Sequence, residues 1–410
     1  MSFDVAAIRR QFPILATQVH GHALHYLDNG ATSQVPQAVL DAVVAHETKA
    51  RANVLRSVHY LAEAATEAYE AARGKLARYL NAASSDEIIF TSGCTAAINL
   101  VAYSFGATLS AGDEVLISEL EHHSNIVPWQ LLRDRRGVVL KALPVTDEGR
   151  LDLGALDRLV GKRTRLIAVT HASNVTGAET DVARVVAAAR AHGAKVLLDG
   201  AQRAPHGPVD LRSLGVDFYA LAGHKMHGPN GVGVLWGRAD LLASMPPFLG
   251  GGEMIRQVTL AKTTYADPPH RFEAGTPPIA QAVGLGVAAD WIAALDLEAA
   301  HAHLSGLTGR LLDGLGAIGR SRLRVIGPNG LQARLPIVSF AVAGAHPHDI
   351  CQMLDRHGVA LRGGHHCAQP LMERFGVTGT TRASLVCYND ASDIDALLGG
   401  LDDALGRLKR

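Results

Sequence analysis

The sequence places Ala222-Gly223-His224-Lys225-Met226-His227-Gly228-Pro229 directly after an apolar run, Phe218-Tyr219-Ala220-Leu221. The apolar run predicts a buried strand, and the glycines and proline around Lys225 predict a tight loop at its end. A lysine at a strand end faces a cleft, where burial of the ammonium group is costly and lowers its pKa. Such an amine can form a Schiff base, although an exposed loop lysine explains this stretch equally well.

A second short apolar strand, Lys195-Val196-Leu197-Leu198, ends in Asp199. A lysine and a carboxylate at neighbouring strand ends are the pair that pyridoxal phosphate (PLP) needs. The amine binds the aldehyde, and the carboxylate keeps the pyridine nitrogen protonated so that the ring accepts electrons. An aspartate after a strand is also a common helix cap, so Asp199 alone proves little. Together, Lys225 and Asp199 indicate a PLP site.

Strand-like runs alternate with helical patterns from residue 87 to residue 199. This alternation predicts βαβ units, and therefore a doubly wound α/β domain with a mainly parallel sheet. Ligands of such sheets bind at the carboxyl ends of the strands. Five candidate residues share that position: Thr95, His123, Asn174, Asp199 and Lys225. Their common position is stronger evidence for a site than any single motif.

Two loops between these strands carry polar residues. Thr91-Ser92-Gly93-Cys94-Thr95 opens a helical run, where small hydroxyl residues and a glycine bind phosphate or serve as an ordinary cap. His122 and His123 stand together in the next loop. No third ligand stands at a suitable spacing, so we expect no metal there. We interpret His123 as a flat ring that stacks on the cofactor, with a helix cap or a surface pair as the alternative.

The pattern changes in the second half of the chain. Residues 246–278 are rich in glycine and proline, which is typical of functional long loops, and a helical region follows near 278–319. Shorter strands and helices then predict a compact α+β unit. We expect a segment 1–20 that packs with the small domain, a large PLP-binding domain 21–295, and a small domain 296–410 with the catalytic cysteine.

The small domain carries Arg362-Gly363-Gly364-His365-His366-Cys367-Ala368. A cysteine in such a loop can be exposed, and His365 or His366, when protonated, would favour its thiolate. A buried, inert cysteine is the commoner case, and we assign Cys351 and Cys387 to it because they lie in apolar runs. Arg382 begins a strand-like run. It is either a solvated charge or a bidentate partner for a substrate carboxylate.

Composition excludes several classes of function. The 410 residues contain 39 basic and 39 acidic side chains, so no basic excess points to nucleic acid or to a membrane surface. No apolar run reaches the roughly 18 residues of a membrane span, and the N-terminus lacks the order of a signal peptide. Four cysteines without a C-x-x-C pair argue against a disulfide framework. We expect a cytoplasmic protein without nucleic-acid or membrane partners.

Four segments together resemble the group II, SUF-type cysteine desulfurases and selenocysteine lyases, which are class V aminotransferases of PLP fold type I. They are E-H-H-S-N-I-V-P-W at 121–129, G-H-K at 223–225, R-F-E-A-G-T-P at 271–277 and R-G-G-H-H-C-A-Q-P at 362–370. The likeness extends over roughly residues 24–405. It implies desulfuration of L-cysteine to L-alanine by a homodimer, which passes sulfur to an acceptor protein of the SUF system for iron–sulfur cluster assembly.

The resemblance also implies residue roles. Lys225 is expected to hold PLP covalently, and Cys367 to take sulfur from cysteine as a persulfide; with His123 they form the catalytic set. The PLP-binding set is Thr95, His123, Asp199, Gln202, His224, Lys225 and Thr276. Thr276 is expected to arrive from the other subunit. The substrate-binding set is His59, Asn174, Arg362 and Arg382.

Three positions depart from the family pattern. Ala222 replaces a serine that binds phosphate, and the lost hydrogen bond to a charged group costs on the order of 1.5–3 kcal/mol of cofactor binding. Ala96 replaces a glutamate, and Leu55 replaces the first histidine of an H-R-G-x-H pattern that ends at His59. Two alternatives therefore stay open: a selenocysteine lyase, and a sulfur-assembly scaffold without turnover. The retained lysine and cysteine count against the scaffold.

Overall fold

The computed structural model describes residues 3–56, 58–319 and 322–407, so that Ser57 of the segment 55–59 lies outside it. Seven strands form a large sheet: β1 (Ile88–Thr91), β2 (Glu114–Ser118), β3 (Val139–Leu143), β4 (Thr164–Thr170), β5 (Lys195–Asp199), β6 (Phe218–Ala222) and β7 (Gly233–Gly237). Their order is β1-β7-β6-β5-β4-β2-β3. Neighbours are parallel except β7, which is antiparallel to β1 and β6.

Helices flank this sheet and continue into the second half of the chain. In order they are α1 (Val5–Arg9), α2 (Gln37–Lys49), α3 (Tyr60–Tyr79), α4 (Cys94–Leu100), α5 (Val127–Arg136), α6 (Leu156–Leu159), α7 (Val182–Ala191), α8 (Leu211–Leu214), α9 (Ala239–Ser244), α10 (Ile279–Ala293), α11 (Leu297–Gly319), α12 (Pro347–Asp355), α13 (Gln369–Phe375) and α14 (Ala391–Arg407).

The large sheet is buried on both faces. Leu76 of α3, Val185 of α7 and Leu285 of α10 share one apolar core with the strands, and Ile98 of α4 and Leu132 of α5 share the other. Because side chains on both faces are covered, the central strands consist of continuous apolar residues. The predicted α/β architecture with a mainly parallel sheet is confirmed.

The second sheet is antiparallel and belongs to the small domain. Its strands are β8 (Leu323–Ile326), β9 (Ile337–Val342), β10 (Arg362–Gly364) and β11 (Thr380–Ser384), in the order β8-β9-β11-β10. Its core contains leucines of α11 and α14. Further pairs are Gln18–Val19 with His22–Ala23, and Ile255–Val258 with Thr263–Tyr265.

The N-terminal region joins the small domain. The strand His25–Tyr26 pairs in parallel with Val359–Ala360, and Leu27 lies in the small-domain core. These contacts favour a first boundary after residue 28, later than residue 20, while the division near residue 295 falls between α10 and α11. The domain limits stay proposals.

Among the described residues, no single helix is long and apolar enough to cross a membrane. Ile279–Ala293 and Leu297–Ile318 meet that criterion of length and composition only as a pair, which is bent by 84°.

Candidate active site

The carboxyl ends of the central parallel strands open into a cleft of about 340 Å³, which both domains line. Asp199 ends β5, and Lys225 lies in the turn Gly223–Lys225 that follows β6. Parallel neighbours end at the same sheet edge, so strand order brings the two residues together. Eight predicted site residues line the cleft: Thr95, Asn174, Asp199, Gln202, His224, Lys225, Arg362 and Arg382. Cys367 lies on the loop next to His366, which also lines it.

Lys225 and Asp199 influence each other across the floor of the cleft. Burial lowers the pKa of Lys225 below its usual 10.5, and the Asp199 carboxylate opposes this change. Asp199 is 5% exposed and accepts hydrogen bonds from the Ala201 N–H at 3.0 Å and from the Cys94 Sγ at 3.3 Å. A buried carboxylate and a lysine amine therefore share one cavity, as a pyridine ring with an aldehyde requires.

Residues 92–96 line the cleft at the N-terminus of α4. Free backbone N–H groups occur at this end of a helix and favour an anion. Gly93, which caps α4, has φ of +150°, a conformation that few other residues adopt. His224 and Ala222 also line the cleft, and the methyl group of Ala222 offers no hydrogen bond there. These features fit a phosphate group with one ligand fewer than the family pattern.

A loop of small residues closes the cleft on the side of the lysine turn. The His224 carbonyl accepts hydrogen bonds from the Thr32 hydroxyl and the Ser33 N–H, both at 2.9 Å. The Gln202 amide donates to the Gly30 carbonyl at 2.8 Å. A Cβ atom on Gly30 would lie 3.1 Å from the Arg382 guanidinium, so a side chain there would disturb that arginine.

The structure corrects the expectation for His123. His122 lines the cleft, and burial together with the nearby Lys225 lowers its pKa to about 4. The ring of His123 instead accepts a hydrogen bond from the Gln369 N–H at 3.1 Å, outside the cleft lining. Adjacent side chains at the start of a 3-10 turn point in different directions, so only one of the two rings reaches the cleft. His122, and not His123, therefore lines the cleft.

Glu121 positions this turn and was missed by sequence analysis. Its carboxyl group is fully buried and accepts hydrogen bonds from Ser118 Oγ, from Asn125 Nδ2 at 2.6 Å and from the Thr170 N–H at 3.0 Å. Burial raises its pKa to about 8. The contacts join the ends of β2 and β4 to the His122 turn. The E-H-H-S-N motif pointed to Glu121, because a glutamate within a site motif either faces solvent or is buried with hydrogen-bond donors around it.

Arg382, Asn174 and Arg362 form the end of the cleft that belongs to the small domain. Arg382 is 2% exposed; its Nη1 donates to the Asn174 carbonyl at 2.9 Å and its Nη2 to Asp28 Oδ1 at 3.1 Å. Its Nε has no partner among the described residues. Arg362 lies beside it on β10, since the two residues are paired in register. Two guanidinium groups here can bind a carboxylate.

The Cys367 loop is held to the cleft by hydrogen bonds to its backbone carbonyls. Asn174 Nδ2 donates to the His366 carbonyl and the His123 N–H donates to the Cys367 carbonyl, both at 2.7 Å. His366 and Cys367 adopt left-handed φ values of 52° and 56°, which are uncommon for residues other than glycine. The expectation that a protonated His366 favours the thiolate is wrong: burial lowers its pKa to about 2, so the ring is neutral. His365 is exposed.

His59 and Thr276 do not reach the cleft of their own chain. The His59 ring caps α3, accepting a hydrogen bond from the Ala62 N–H at 3.3 Å, so the expected contact with substrate is not made here. Thr276 is exposed. The loop before it is fixed by Glu273, which binds Arg73 Nη1 at 2.6 Å and the Phe90 N–H at 2.7 Å. A motif identifies a residue type, whereas the folded chain decides which cavity the residue faces.

The class-V aminotransferase family model matches residues 25–397. The chain belongs to the class-V aminotransferase family. A probable cysteine desulfurase of Streptomyces coelicolor is 48% identical to this chain over 405 residues, which cover 97% of this chain and 96% of that protein. A cysteine desulfurase of Dickeya dadantii is 47% identical, with coverage of 97% and 96%.

Solved structures agree with these relatives. The cysteine desulfurase CsdA of Escherichia coli, in an S-sulfonic acid form, superposes with a TM-score of 0.91 at 39% identity. The match covers 99% of this chain and 100% of the CsdA chain. A variant of C-DES with glycine covalently linked to its PLP cofactor gives a TM-score of 0.81 at 26% identity, with coverage of 96% and 99%.

Proposed function

We propose that this protein is a PLP-dependent cysteine desulfurase, which converts L-cysteine to L-alanine and leaves the sulfur atom on Cys367 as a persulfide. The observation that carries the proposal is the union of three parts in one place. Lys225 and Asp199 share the floor of the cleft, and Asn174 ties the Cys367 loop to it through the His366 carbonyl at 2.7 Å. The desulfurase relatives support this assignment.

The cofactor would be held by residues on the floor. Lys225 would bind it covalently, Asp199 would accept a hydrogen bond from its ring nitrogen, and His122 would stack on the ring. Thr95, His224 and the N–H groups of residues 93–96 would bind its phosphate, and Gln202 would lie near the ring hydroxyl. PLP, when bound, withdraws electrons from the bonds around the substrate α-carbon.

The remaining residues of the cleft act on the substrate. Arg382 and Arg362 bind the carboxylate of cysteine and so orient its α-carbon toward Lys225. Burial lowers the pKa of Lys225, which favours the neutral amine that takes and returns a proton at the α-carbon. Because Lys225 lies in a turn fixed by the 30–33 loop, the amine is held in position for this transfer.

Cys367 completes the reaction. Its thiolate attacks the sulfur of the substrate, an S–S bond forms, and the bond between that sulfur and the β-carbon breaks. The bonding electron pair stays with the carbon, which then takes up a proton to become the methyl group of alanine. L-cysteine and the Cys367 thiol therefore give L-alanine and a persulfide, without an external oxidant. Cys367 is half-buried next to the exposed His365, so an acceptor would approach the persulfide from this side of the loop.

We propose a homodimer whose subunits complete each other's sites, in the cytoplasm, with a sulfur-acceptor protein of the SUF system and use of the sulfur for iron–sulfur cluster assembly. The positions of His59 and Thr276 outside their own cleft support this arrangement. The side chains around His59 support it as well, since Val58 is 93% exposed and Tyr60 is 80% exposed. Exposed apolar groups of this kind are typical of an interface.

The activity is tested with purified holoenzyme and L-cysteine in the presence of a thiol reductant. We expect alanine and sulfide in equal amounts, and mass spectrometry should find one additional sulfur atom on Cys367. Cys367→Ala should keep PLP and release no alanine, whereas Cys351→Ala, in a half-buried helix position, should keep turnover. A Cys367→Ala protein with wild-type turnover, together with a native Cys367 that never carries extra sulfur, would contradict the proposal.

The shared site is tested by mixing two impaired variants at a PLP concentration that saturates only the wild-type protein. Lys225→Ala removes the lysine, and Thr276→Ala removes the group expected at the partner's phosphate. In a mixed dimer, the Thr276→Ala subunit keeps its own Lys225 and receives Thr276 from its partner, so one intact site and part of the activity should return. If Thr276 served its own cleft, mixing would restore nothing.

A further inference from the structure

A buried ion pair holds the loop that leads to Thr276. The Glu273 side chain is 5% exposed, and each of its carboxylate oxygens has two donors. Oε1 accepts hydrogen bonds from Arg73 Nη1 at 2.6 Å and from the Phe90 N–H at 2.7 Å. Oε2 accepts from Arg73 Nη2 at 2.9 Å and from the Tyr69 hydroxyl at 3.0 Å. Donors on both oxygens fix the carboxylate in one orientation.

Arg73, the counterpart of Glu273, is 1% exposed. Besides its two bonds to Glu273, its Nη1 donates to the Ile88 carbonyl at 2.8 Å, and its Nε and Nη2 donate to the Glu70 carboxylate at 2.8 and 3.1 Å. All five N–H groups of the guanidinium therefore have an acceptor. A buried ion pair is tolerated only with such complete hydrogen bonding, and removal of one partner is strongly destabilising. The pair therefore allows the loop one position.

The pair joins parts of the chain that belong to different cofactor sites in the proposed dimer. Arg73 lies on α3, which begins directly after His59. Phe90 lies on β1, and residues 92–96 after this strand line the phosphate end of their own cleft. Thr276, like His59, lines no part of that cleft. One network therefore connects a subunit's own phosphate loop to the two residues that we assign to the other subunit's site.

The chain around Thr276 needs such an anchor. Gly275 has φ of +79° and the conformational freedom of a residue without a side chain, whereas Pro277 and Pro278 restrict the backbone on the other side. We infer that Glu273 is a positioning residue, which holds the Thr276 hydroxyl at the cofactor phosphate of the other subunit. The inference rests on the shared site proposed above.

The dissociation constant of PLP, measured by equilibrium titration of the apoprotein, tests the inference. Thr276→Ala should weaken PLP binding about tenfold, as expected for the loss of one hydrogen bond to a charged group. Glu273→Gln keeps the size of the side chain and removes its charge and one acceptor, so binding should weaken toward the Thr276→Ala value and not beyond it. Tyr69→Phe removes one donor and leaves the ion pair intact, so it should weaken binding roughly threefold. Tyr69→Phe carries the comparison if Glu273→Gln does not fold.

The double variants decide whether Glu273 acts through Thr276. In the Thr276→Ala background, Glu273→Gln and Tyr69→Phe should have no further effect, because the group that they position is already absent. Multiplied effects would show that Glu273 acts on its own phosphate loop through Phe90, and would overturn the inference.

The single variants separate the inference from the proposal on which it rests. If Thr276→Ala weakens PLP binding while Glu273→Gln and Tyr69→Phe leave it unchanged, the inference alone is overturned. If Thr276→Ala itself leaves the affinity unchanged, the shared phosphate site fails and the inference with it. Neither result bears on alanine formation by the wild type, which tests the desulfurase activity itself.

Thr164→Val is the matched control for a buried hydroxyl lost from a carboxylate. Thr164 Oγ1 donates to Glu114 Oε2 at 3.1 Å at the start of β4, which is the end of that strand away from the cleft. PLP affinity should stay at the wild-type value. If Thr164→Val weakened PLP binding as much as Tyr69→Phe does, general loosening of the fold would explain both and overturn the inference.

Discussion

The floor and the rim of the cleft are built in different ways. Asp199, Lys225 and Cys94 lie on the floor, at the ends of buried elements, and burial raises the pKa of the Cys94 thiol well above its usual 9.0. Cys367 lies on the rim, half-buried, in a left-handed stretch outside helices and strands. The same side chain is therefore a buried hydrogen-bond donor on the floor and, as the proposed nucleophile, a half-buried thiol on the rim. A rigid base with an approachable thiol above it is what sulfur transfer requires.

Removing the floor should have the largest effect. In the proposed mechanism Lys225 attaches the cofactor covalently and moves the α-proton, so alanine formation by Lys225→Ala should fall by at least about 10²–10⁴-fold. The variant should also lose the visible absorption of covalently bound PLP. Absorption spectra and alanine assays measure these effects. A variant that keeps the absorption band and the activity would show that Lys225 neither binds the cofactor nor moves the proton.

Loosening the rim should affect sulfur transfer and spare cofactor binding. Asn174→Asp replaces the amide that donates to the His366 carbonyl at 2.7 Å with a carboxylate oxygen that is repelled by it. Persulfide formation should fall about 10–100-fold, the cost of an unsatisfied and repelled buried group. Quantitative mass spectrometry of Cys367 and the PLP spectrum measure the two effects, with the exposed Asn53→Asp as a control. If Asn174→Asp lost PLP to the same extent as persulfide formation, the rim would not act separately from cofactor binding.

Ala222→Ser should strengthen cofactor binding at the floor of the cleft. Ala222 lines the cleft at the end of β6, where a serine hydroxyl would add one hydrogen bond to the phosphate. The gain expected for a hydrogen bond to a charged group corresponds to about tenfold tighter PLP binding or more. Equilibrium titration of the apoprotein with PLP measures it, and Ala31→Ser, which adds a hydroxyl elsewhere in the lining, should change the affinity less. Unchanged affinity in Ala222→Ser would place the phosphate away from this residue.

Serine in place of each cysteine should have a small effect on the floor and a large effect on the rim. Cys94→Ser keeps a donor for Asp199 Oδ1, now 3.3 Å from Cys94 Sγ, so PLP affinity and turnover should stay within about tenfold of wild type. Cys367→Ser should abolish persulfide formation, because a hydroxyl cannot take up the sulfur. Steady-state alanine assays on both variants provide the comparison, and a Cys94→Ser protein as inactive as Cys367→Ser would overturn it.

The residues at strand ends could be predicted from the sequence, because buried strands appear in it as short apolar runs. Apolar runs at 195–198 and 218–221 predicted β5 and β6, and parallel neighbours place Asp199 and Lys225 at one edge. Residues whose role depends on direction were not accessible in this way. His122 and His123 are equivalent in any pattern of residue types, and only the 3-10 turn that begins at His123 selects His122 for the cleft.

Contacts between distant parts of the chain were also beyond the sequence pattern. The pKa of His366 is lowered to about 2 by burial, although the residue lies in a loop beside an exposed His365. Glu121 reaches Thr170, 49 positions away, and this contact rather than local spacing fixes its buried position. Neither burial nor a long-range partner leaves a periodic signal.

The sequence by itself determined the alternating βαβ order, the lysine and aspartate at neighbouring strand ends, and the glycine-rich segment that carries Cys367, because each of these depends on local periodicity and residue type. Only the tertiary structure decided which histidine enters the cleft, why His59 and Thr276 face away from it, and why the ring of His366 is buried beside an exposed His365. Those outcomes depend on the direction of side chains and on the removal of water by residues far apart in the chain, which no single stretch of sequence specifies.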